Sequence, residues 1–283
     1  MMGLFPLIGG DSRIAARIVE LLPRGERFVE AFGGAGSVTL HLAKASAYAE
    51  LTWNDLDRLY YDSFRLIKYH PRAAAIIREI LVRLSRCVDP EARAAAKTLL
   101  KEVKLKLLEG EIGWPWNAVW TIALHYACHI PWRSGLMFRW TYCPTRYSRV
   151  DRKLLRCHRL LRGVELRNED ALELLPELDG EDAVFYIDPP HLTSDRWRTG
   201  YYRLDFTPEK AGELDEVLRG LRGKVLVKLS PRDVEYYKLA SSWRCVKLTY
   251  PKGSKAARAG ATGEYRLYMN YSPNIYRFGG KRV

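Results

Sequence analysis

The chain has little cysteine, and none of it stands in a closely spaced pair. Its five cysteines (Cys87, Cys128, Cys143, Cys157 and Cys245) are odd in number, irregularly spaced and never in a CxxC arrangement, which argues against a disulfide framework. His125, Cys128 and His129 could share a helical face, with Cys143 or Cys157-His158 completing a site. The paired-ligand spacing of a zinc centre is nevertheless missing, and no metal is expected. No apolar run approaches the roughly 18–20 residues that a membrane span needs. Residues 1–10 lack the basic region and long apolar core of a signal peptide, and Leu7 stands where a myristoylation motif wants Ser or Thr. The expectation is a cytoplasmic protein with no membrane partner. No internal repeat is visible. The glycine turn at residues 33–36 is followed by no GK[ST], which excludes a P-loop, and it lacks the third glycine of the dinucleotide fingerprint.

What is present is basic. The 283 residues are 47% hydrophobic and 28% charged, with a net charge of +13, the composition of a soluble globular protein of one or two domains. Such a charge favours a polyanionic partner. The excess is concentrated in the middle: residues 62–165 hold 20 Lys and Arg against 9 Asp and Glu, and residues 133–162 hold 9 against a single Asp. A monomer is the default expectation.

Residues 184–191, Val-Phe-Tyr-Ile-Asp-Pro-Pro-His, read as a buried parallel strand that stops at an acid and two prolines. Pro189 cannot donate to a sheet, and Pro190 keeps it out of the helical region. Asp188 is thus held at the carboxyl end of a central strand, where open α/β sheets place ligands. A carboxylate beside a rigidly aimed carbonyl is a pair of acceptors, which suits a substrate carrying an NH2 group.

Upstream, Asp11 or Ser12 could cap a first helix carrying Ile14, Ile18, Leu21 and Leu22. Residues 27–32 then form a short strand that runs through Gly33-Gly34-Ala35-Gly36-Ser37 into a helix. This strand, glycine turn and helix let the backbone approach a ligand and offer it free N–H groups. Leu51-Thr52-Trp53 is the next strand. The acidic cluster Asn54-Asp55-Leu56-Asp57 follows about 20 residues past the glycines, where a ribose hydroxyl pair would be held; equally, Asn54 or Asp55 could cap the next helix. Residues 60–108 are helical, broken at Pro71 and at Asp89-Pro90, and the tryptophans of 112–132 read first as core. Residues 133–149 interleave arginines with aromatics, a texture that can pair phosphates and stack bases, or form a basic surface loop. Strands return at 163–167, 184–187 and 224–229. A long polar and aromatic loop covers 192–206, a length that is usually functional. Residues 243–250 and 264–271 make a terminal antiparallel pair. One sheet domain with a large basic helical insertion is implied.

Taken together, these motifs resemble the Dam-type, D12-class family of S-adenosylmethionine-dependent DNA adenine-N6 methyltransferases. Phe28 to Val38 is similar to the family's FxGxG motif through Phe32, Gly34 and Gly36. Trp53-Asn54-Asp55 is similar to its second-strand acidic motif, and Pro6 to Arg13 to the segment that lies over the cofactor. Asn168-Glu169-Asp170 resembles the later acidic motif, Asp188-Pro189-Pro190 the catalytic turn, and Gly263 to Asn270 the final strand. Two positions depart from the family: Asp11 stands where Lys is usual, and His191 where an aromatic, most often Tyr, is usual. The resemblance implies an α/β fold, a Rossmann-like methyltransferase sheet, mostly parallel with an antiparallel terminal strand. It divides the chain into a first catalytic part (1–61), an inserted helical DNA-recognition part (62–162) and a second catalytic part (163–283).

It further implies a catalytic set of Asp188, Pro189, Pro190 and His191. S-adenosylmethionine would be held by Phe5, Gly9, Gly10, Glu30, Phe32, Gly34, Gly36, Asn54, Asp55, Asp170 and Asp188. Double-stranded DNA would be met by Arg133, Arg139, Arg146 and Arg149. In this reading Asp55 takes the ribose hydroxyls, Asp170 lies near the cofactor's adenine amine, and His191 stacks on a flipped base. The alternatives are a cytosine-N4 or RNA-base methyltransferase, and a catalytically silent nucleic-acid-binding relative.

Overall fold

The computed structural model describes residues 3–7, 10–130, 132, 135–138, 147–192, 202–251 and 262–273. Seven strands form one sheet in the order β5-β2-β1-β6-β7-β9-β8. They are β1 (Arg27–Glu30), β2 (Glu50–Asn54), β5 (Val164–Arg167), β6 (Ala183–Ile187), β7 (Lys224–Leu229), β8 (Arg244–Pro251) and β9 (Thr262–Met269). Strands β5 to β7 of that order are all parallel, whereas β9 runs antiparallel to both β7 and β8. The expected terminal antiparallel pair is present, and its second strand lies inside the first. A two-stranded antiparallel pair, β3 (Cys128–His129) with β4 (Met137–Phe138), stands apart.

The centre of the sheet explains itself from sequence. All five residues of β6 are buried, because parallel neighbours flank it and helices cover both faces. Side chains alternate across the pleat. Val184 and Tyr186 therefore join one apolar cluster with Phe28 and Trp53, while Phe185 and Ile187 join a second with Val29 and Leu214. After β1 the chain builds β2 and β5 on one side, then returns to lay β6 on the other. The carboxyl ends of β1 and β6 are thus adjacent at the point where strand order reverses, with Glu30 opposite Tyr186. Ligands of open α/β sheets bind at such a point.

Nine α-helices lie among the described residues: α1 (Ala15–Leu21), α2 (Ser37–Ala45), α3 (Arg58–Tyr69), α4 (Ala73–Ser85), α5 (Pro90–Leu108), α6 (Trp116–Ala127), α7 (Val150–Leu161), α8 (Ala171–Glu177) and α9 (Pro208–Gly220). The breaks fall where proline and capping chemistry put them. The α3 helix ends before Pro71. Helix α5 starts with Asp89 accepting from Ala92 N at 2.8 Å and with Pro90 in its first turn, an arrangement that satisfies one orphan N–H and removes another. Its Ala96, Leu100, Val103 and Leu107 are buried along one stripe. Helix α3 packs on α4, α6 and α7, and α7 reaches α2 and β5. The first apolar cluster accordingly runs without a break from Phe28 and Trp53 through Phe64 and Ile77 to Leu124 and Leu154.

Two readings of the sequence are corrected here. Asp11 caps no helix; it lies in a short 3-10 turn with its side chain buried. Trp114 and Trp116 are exposed rather than core, at 38% and 51%. Trp114 sits instead under the Arg65 guanidinium, 4.5 Å from its ring centroid.

Candidate active site

The cleft at the switch point begins with the glycine turn. Gly33 faces Trp53 so closely that an added Cβ would come within 2.0 Å of its indole nitrogen, and Gly36 takes φ +64 to start α2. Any residue with a Cβ is excluded by space at the first position and disfavoured by backbone at the second. Gly36 offers α2 no side-chain cap. Glu30, at the end of β1, supplies one from outside: its Oε2 accepts from Thr39 N at 3.0 Å and also from the Thr39 hydroxyl. Burial pushes the Glu30 carboxyl up to about 8, against the pull of those two bonds.

The acidic turn after β2 divides its labour among three residues. Asn54 is fully buried and saturated. Its Nδ2 donates to Ala31 O at 2.9 Å and Glu169 O at 3.0 Å, and its Oδ1 accepts from Glu169 N at 2.9 Å. It clamps the end of β2 to its neighbours and does not line the cleft. Asp55 does: its Oδ2 accepts from Gly34 N at 2.7 Å and its Oδ1 from Asp57 N at 2.8 Å. Burial, and then the nearby Asp57 carboxylate, raise Asp55 to about 7. The helix cap sought at Asn54 or Asp55 is Asp57, which accepts from Leu59 N at 2.9 Å and holds Arg203 through Nε at 2.9 and 3.0 Å.

At the end of β6, Asp188 faces Lys228 of β7, whose Nζ is 2.6 Å from its Oδ2. Lys228 is completely buried and also pairs with Asp11, which accepts from the Tyr186 hydroxyl. Burial raises Asp188 to about 6; Lys228 opposes that rise and Asp11 adds to it. Burial works against the Lys228 charge as well, but Asp11 and Asp188 outweigh it and hold its pKa above the ordinary value. His191 is buried with Nδ1 3.2 Å from Asp233 Oδ2, and its ring lies 6.0 Å from that of Tyr265 at 16°.

These residues share one open cleft, enclosing about 1270 Å³ out to bulk solvent. Of the expected site residues, Gly10, Glu30, Phe32, Gly34, Asp55, Asp170, Asp188, Pro189, Pro190 and His191 line it. Phe5, Gly36 and Asn54 do not. Phe5 is buried and stacked on His125 at 4.4 Å, and Gly36 backs onto Phe64. Asp170 caps α8 through Leu172 N at 3.0 Å and lies 3.7 Å from Lys210 Nζ. Arg149 is exposed at the start of α7, whereas Gly9, Arg133, Arg139 and Arg146 lie outside the described residues. Sequence reasoning missed Asp57, Tyr202, Arg203 and Lys228. The last carried a signal: a lysine near the carboxyl end of a strand, directly after three apolar residues.

The lining is rich in carboxyl groups, with Asp11, Asp55, Asp57, Glu169, Asp170, Asp188 and Asp205, and with Glu30 kept protonated by burial, against Arg203 and Lys210. Phe32, Leu56, Leu172 and Phe206 add apolar walls. Such a cleft suits a cationic ligand with a flat apolar portion. A sheet and cleft of this kind define a doubly wound α/β protein with its ligand site at the switch point. Residues 8–89 match the family model of the D12 class N6 adenine-specific DNA methyltransferases. Over that segment, which spans the glycine turn and Asp55 and ends well before Asp188, the chain is similar to that class. No curated protein matches the chain. A solved structure from Haemophilus influenzae, provisionally assigned as a methylase, covers 94% of this chain and 91% of its own at 11% identity with a TM-score of 0.31, a likeness too loose to carry argument.

Proposed function

We propose that the protein transfers a methyl group from S-adenosylmethionine to the N6 amine of an adenine flipped out of double-stranded DNA. The observation that carries this reading is the meeting, in one cleft, of the Asp188-Pro189-Pro190 turn with the glycine turn and Asp55. The family match over residues 8–89 supports it. The cofactor fits the donor set: the carboxylate-rich lining suits a sulfonium and an α-ammonium, and Asp55 offers acceptors to ribose hydroxyls. Phe32, Gly34 and Gly10 would border the methionine portion, and Asp170 and Leu172 the adenine. When bound, S-adenosylmethionine supplies an electrophilic methyl group.

The chain's own task is to make an amine nucleophilic. The lone pair of an aromatic amine is delocalised into its ring. Asp188 and the Pro189 carbonyl accept hydrogen bonds from its two N–H groups, favour a tetrahedral nitrogen and stabilise the positive charge that develops on it. Holding the amine in line with the reacting carbon supplies the rest of the acceleration. Flipping the base costs a few kcal/mol, which stacking on His191, a residue of the cleft wall, offsets. Residues 62–162 serve as the recognition part, with Arg133, Arg139, Arg146 and Arg149 on DNA.

The test is incubation with radiolabelled S-adenosylmethionine and mixed-sequence duplex DNA, followed by digestion to nucleosides. Label in N6-methyladenine is expected. Asp188→Ala should lower transfer by about 10²- to 10³-fold and leave cofactor binding within a few-fold in calorimetry. Loss of cofactor binding in a folded Asp188→Ala protein would count against these roles. A second reading is favoured by the acceptor pair itself, which suits any exocyclic amine: label in N4-methylcytosine, or in RNA alone, would move the target and keep the chemistry.

A further inference from the structure

The buried charges behind the catalytic turn have no part in the chemistry described so far. Lys228 is enclosed on β7 with no exposed surface. Its ammonium touches Asp188 Oδ2 at 2.6 Å and Asp11, and it lies 4.5 Å from the centre of the Tyr265 ring. Asp11 is 5% exposed, and its second oxygen accepts from the Tyr186 hydroxyl. An ammonium has three protons, and two carboxylates and an aromatic face use them. Buried charge of this kind is costly unless every member is paired, so the three groups act as a unit. Removing the cation would leave two carboxylates facing each other.

We propose that Lys228, anchored by Asp11, is the positioning residue that aims Asp188 at the substrate amine and keeps it ionised. The inference rests on the amine-methylating reading of Asp188. An ionised carboxylate accepts from the amine through either oxygen and balances the charge developing on nitrogen, whereas a protonated one presents an O–H and balances nothing. With burial already lifting Asp188 to about 6, a lost cation would carry its ionisation toward the working pH. The other groups facing Asp188 are Asp11 from the 3-10 turn, Glu30 at the end of β1, Tyr186 on β6, His191 on its own turn, Tyr237 after β7 and Tyr265 on β9. His191 is itself tied to Asp233. Of these, Asp11 is the group that both raises Asp188 and bonds to Lys228. The two neighbours therefore push Asp188 in opposite directions.

That opposition supplies a test that a merely structural role would not pass. The Asp188 carboxyl is followed by carbon NMR against pH in the full chain, assigned by its loss in Asp188→Asn, and the acid limb of methyl transfer is measured beside it. Lys228→Met should move both midpoints up by more than one pH unit and lower transfer at pH 7 at least tenfold, with partial recovery at higher pH. Asp11→Asn should move both down. Unmoved midpoints in folded variants overturn the proposal. If Lys228→Met does not fold, Asp11→Asn decides alone, by its downward shift or its absence. Should the wild-type protein methylate no nucleic acid, the functional reading fails, while the NMR midpoints still support or overturn the coupling.

Discussion

Glu30 caps a helix to which it does not belong, and it does so while buried. Its oxygen satisfies the Thr39 N–H in the first turn of α2, one of the four donors that a helix start leaves open. An anion there is favoured by the helix dipole, but burial dominates and holds the carboxyl near 8. The folded value lies above the unfolded one. The folded protein therefore keeps a proton that the unfolded chain has released between about pH 4.5 and 8, and stability falls as pH rises through that window. Comparing wild type with Glu30→Gln isolates this residue from Asp55 and Asp188, whose raised values act with the same sign. The wild type should lose about 3 kcal/mol relative to the variant between pH 6 and 9, read from urea unfolding at each pH; parallel pH curves would show that Glu30 is already ionised. Glu30, Asp11 and Lys228 also mark what the sequence conceals. Strand propensity placed Glu30 and Lys228 on the right strands, whereas Asp11 read as a helix cap. The partners of Asp11 and Lys228, however, are far away, the two lying 217 residues apart, and no local pattern encodes such a pairing.

Between elements, the contact most exposed to test is that of Arg203 with Asp57. It ties the segment after the catalytic turn to the turn between β2 and α3, with Nη2 2.8 Å from Asp57 Oδ1 and the Nε bonds described above. Asp57 raises the neighbouring Asp55, and Arg203 lowers it. Arg203→Ala should weaken S-adenosylmethionine binding about tenfold at pH 7, and more at pH 6, because Asp55 then protonates more readily; the rate at saturating cofactor should change little. Calorimetry at the two pH values, beside saturation kinetics, checks this, and an unchanged affinity would confine the ion pair to structure. Local chemistry made the elements legible: Asp89-Pro90, Thr207-Pro208 and Pro71 stand where helices α5, α9 and α3 start or stop. The candidate site was legible where backbone and carboxylate coincide, at the glycine turn, Asp55 and the Asp188 turn. It was less so where tertiary packing chose among near-equivalents. Asp57 won the cap over Asn54 and Asp55 because Asn54 is spent on three backbone bonds and Asp55 on Gly34. Trp114 and Trp116 sit at the surface because the buried face of α6 is filled by smaller residues such as Ala118, Ile122 and Ala123.

At the scale of the molecule, charge is segregated. A chain of net charge +13 lines the switch-point cleft with carboxyl groups, so under the proposed function a cationic cofactor and a polyanionic substrate would be drawn to different surfaces. The clearest basic surface among the described residues is α7. Val150, Leu154, Cys157 and Leu161 bury one side of it, while Arg149, Arg152, Arg156 and Arg159 are exposed at helical spacing on another. Such a stripe is either a solvated face or a row of phosphate contacts, and salt separates the two. Each phosphate neutralised by an arginine releases a counterion and adds about 0.9 to the slope of log affinity against log salt. If the stripe lies on DNA, changing all four arginines to glutamine should lower that slope by about 3 to 4, measured by fluorescence anisotropy on duplex DNA across a salt series. Cofactor affinity should stay unchanged, because α7 contributes nothing to the cleft. An unaltered slope would leave α7 a solvated face and return the phosphate contacts to residues 133–146, where arginine and aromatic side chains alternate in the sequence.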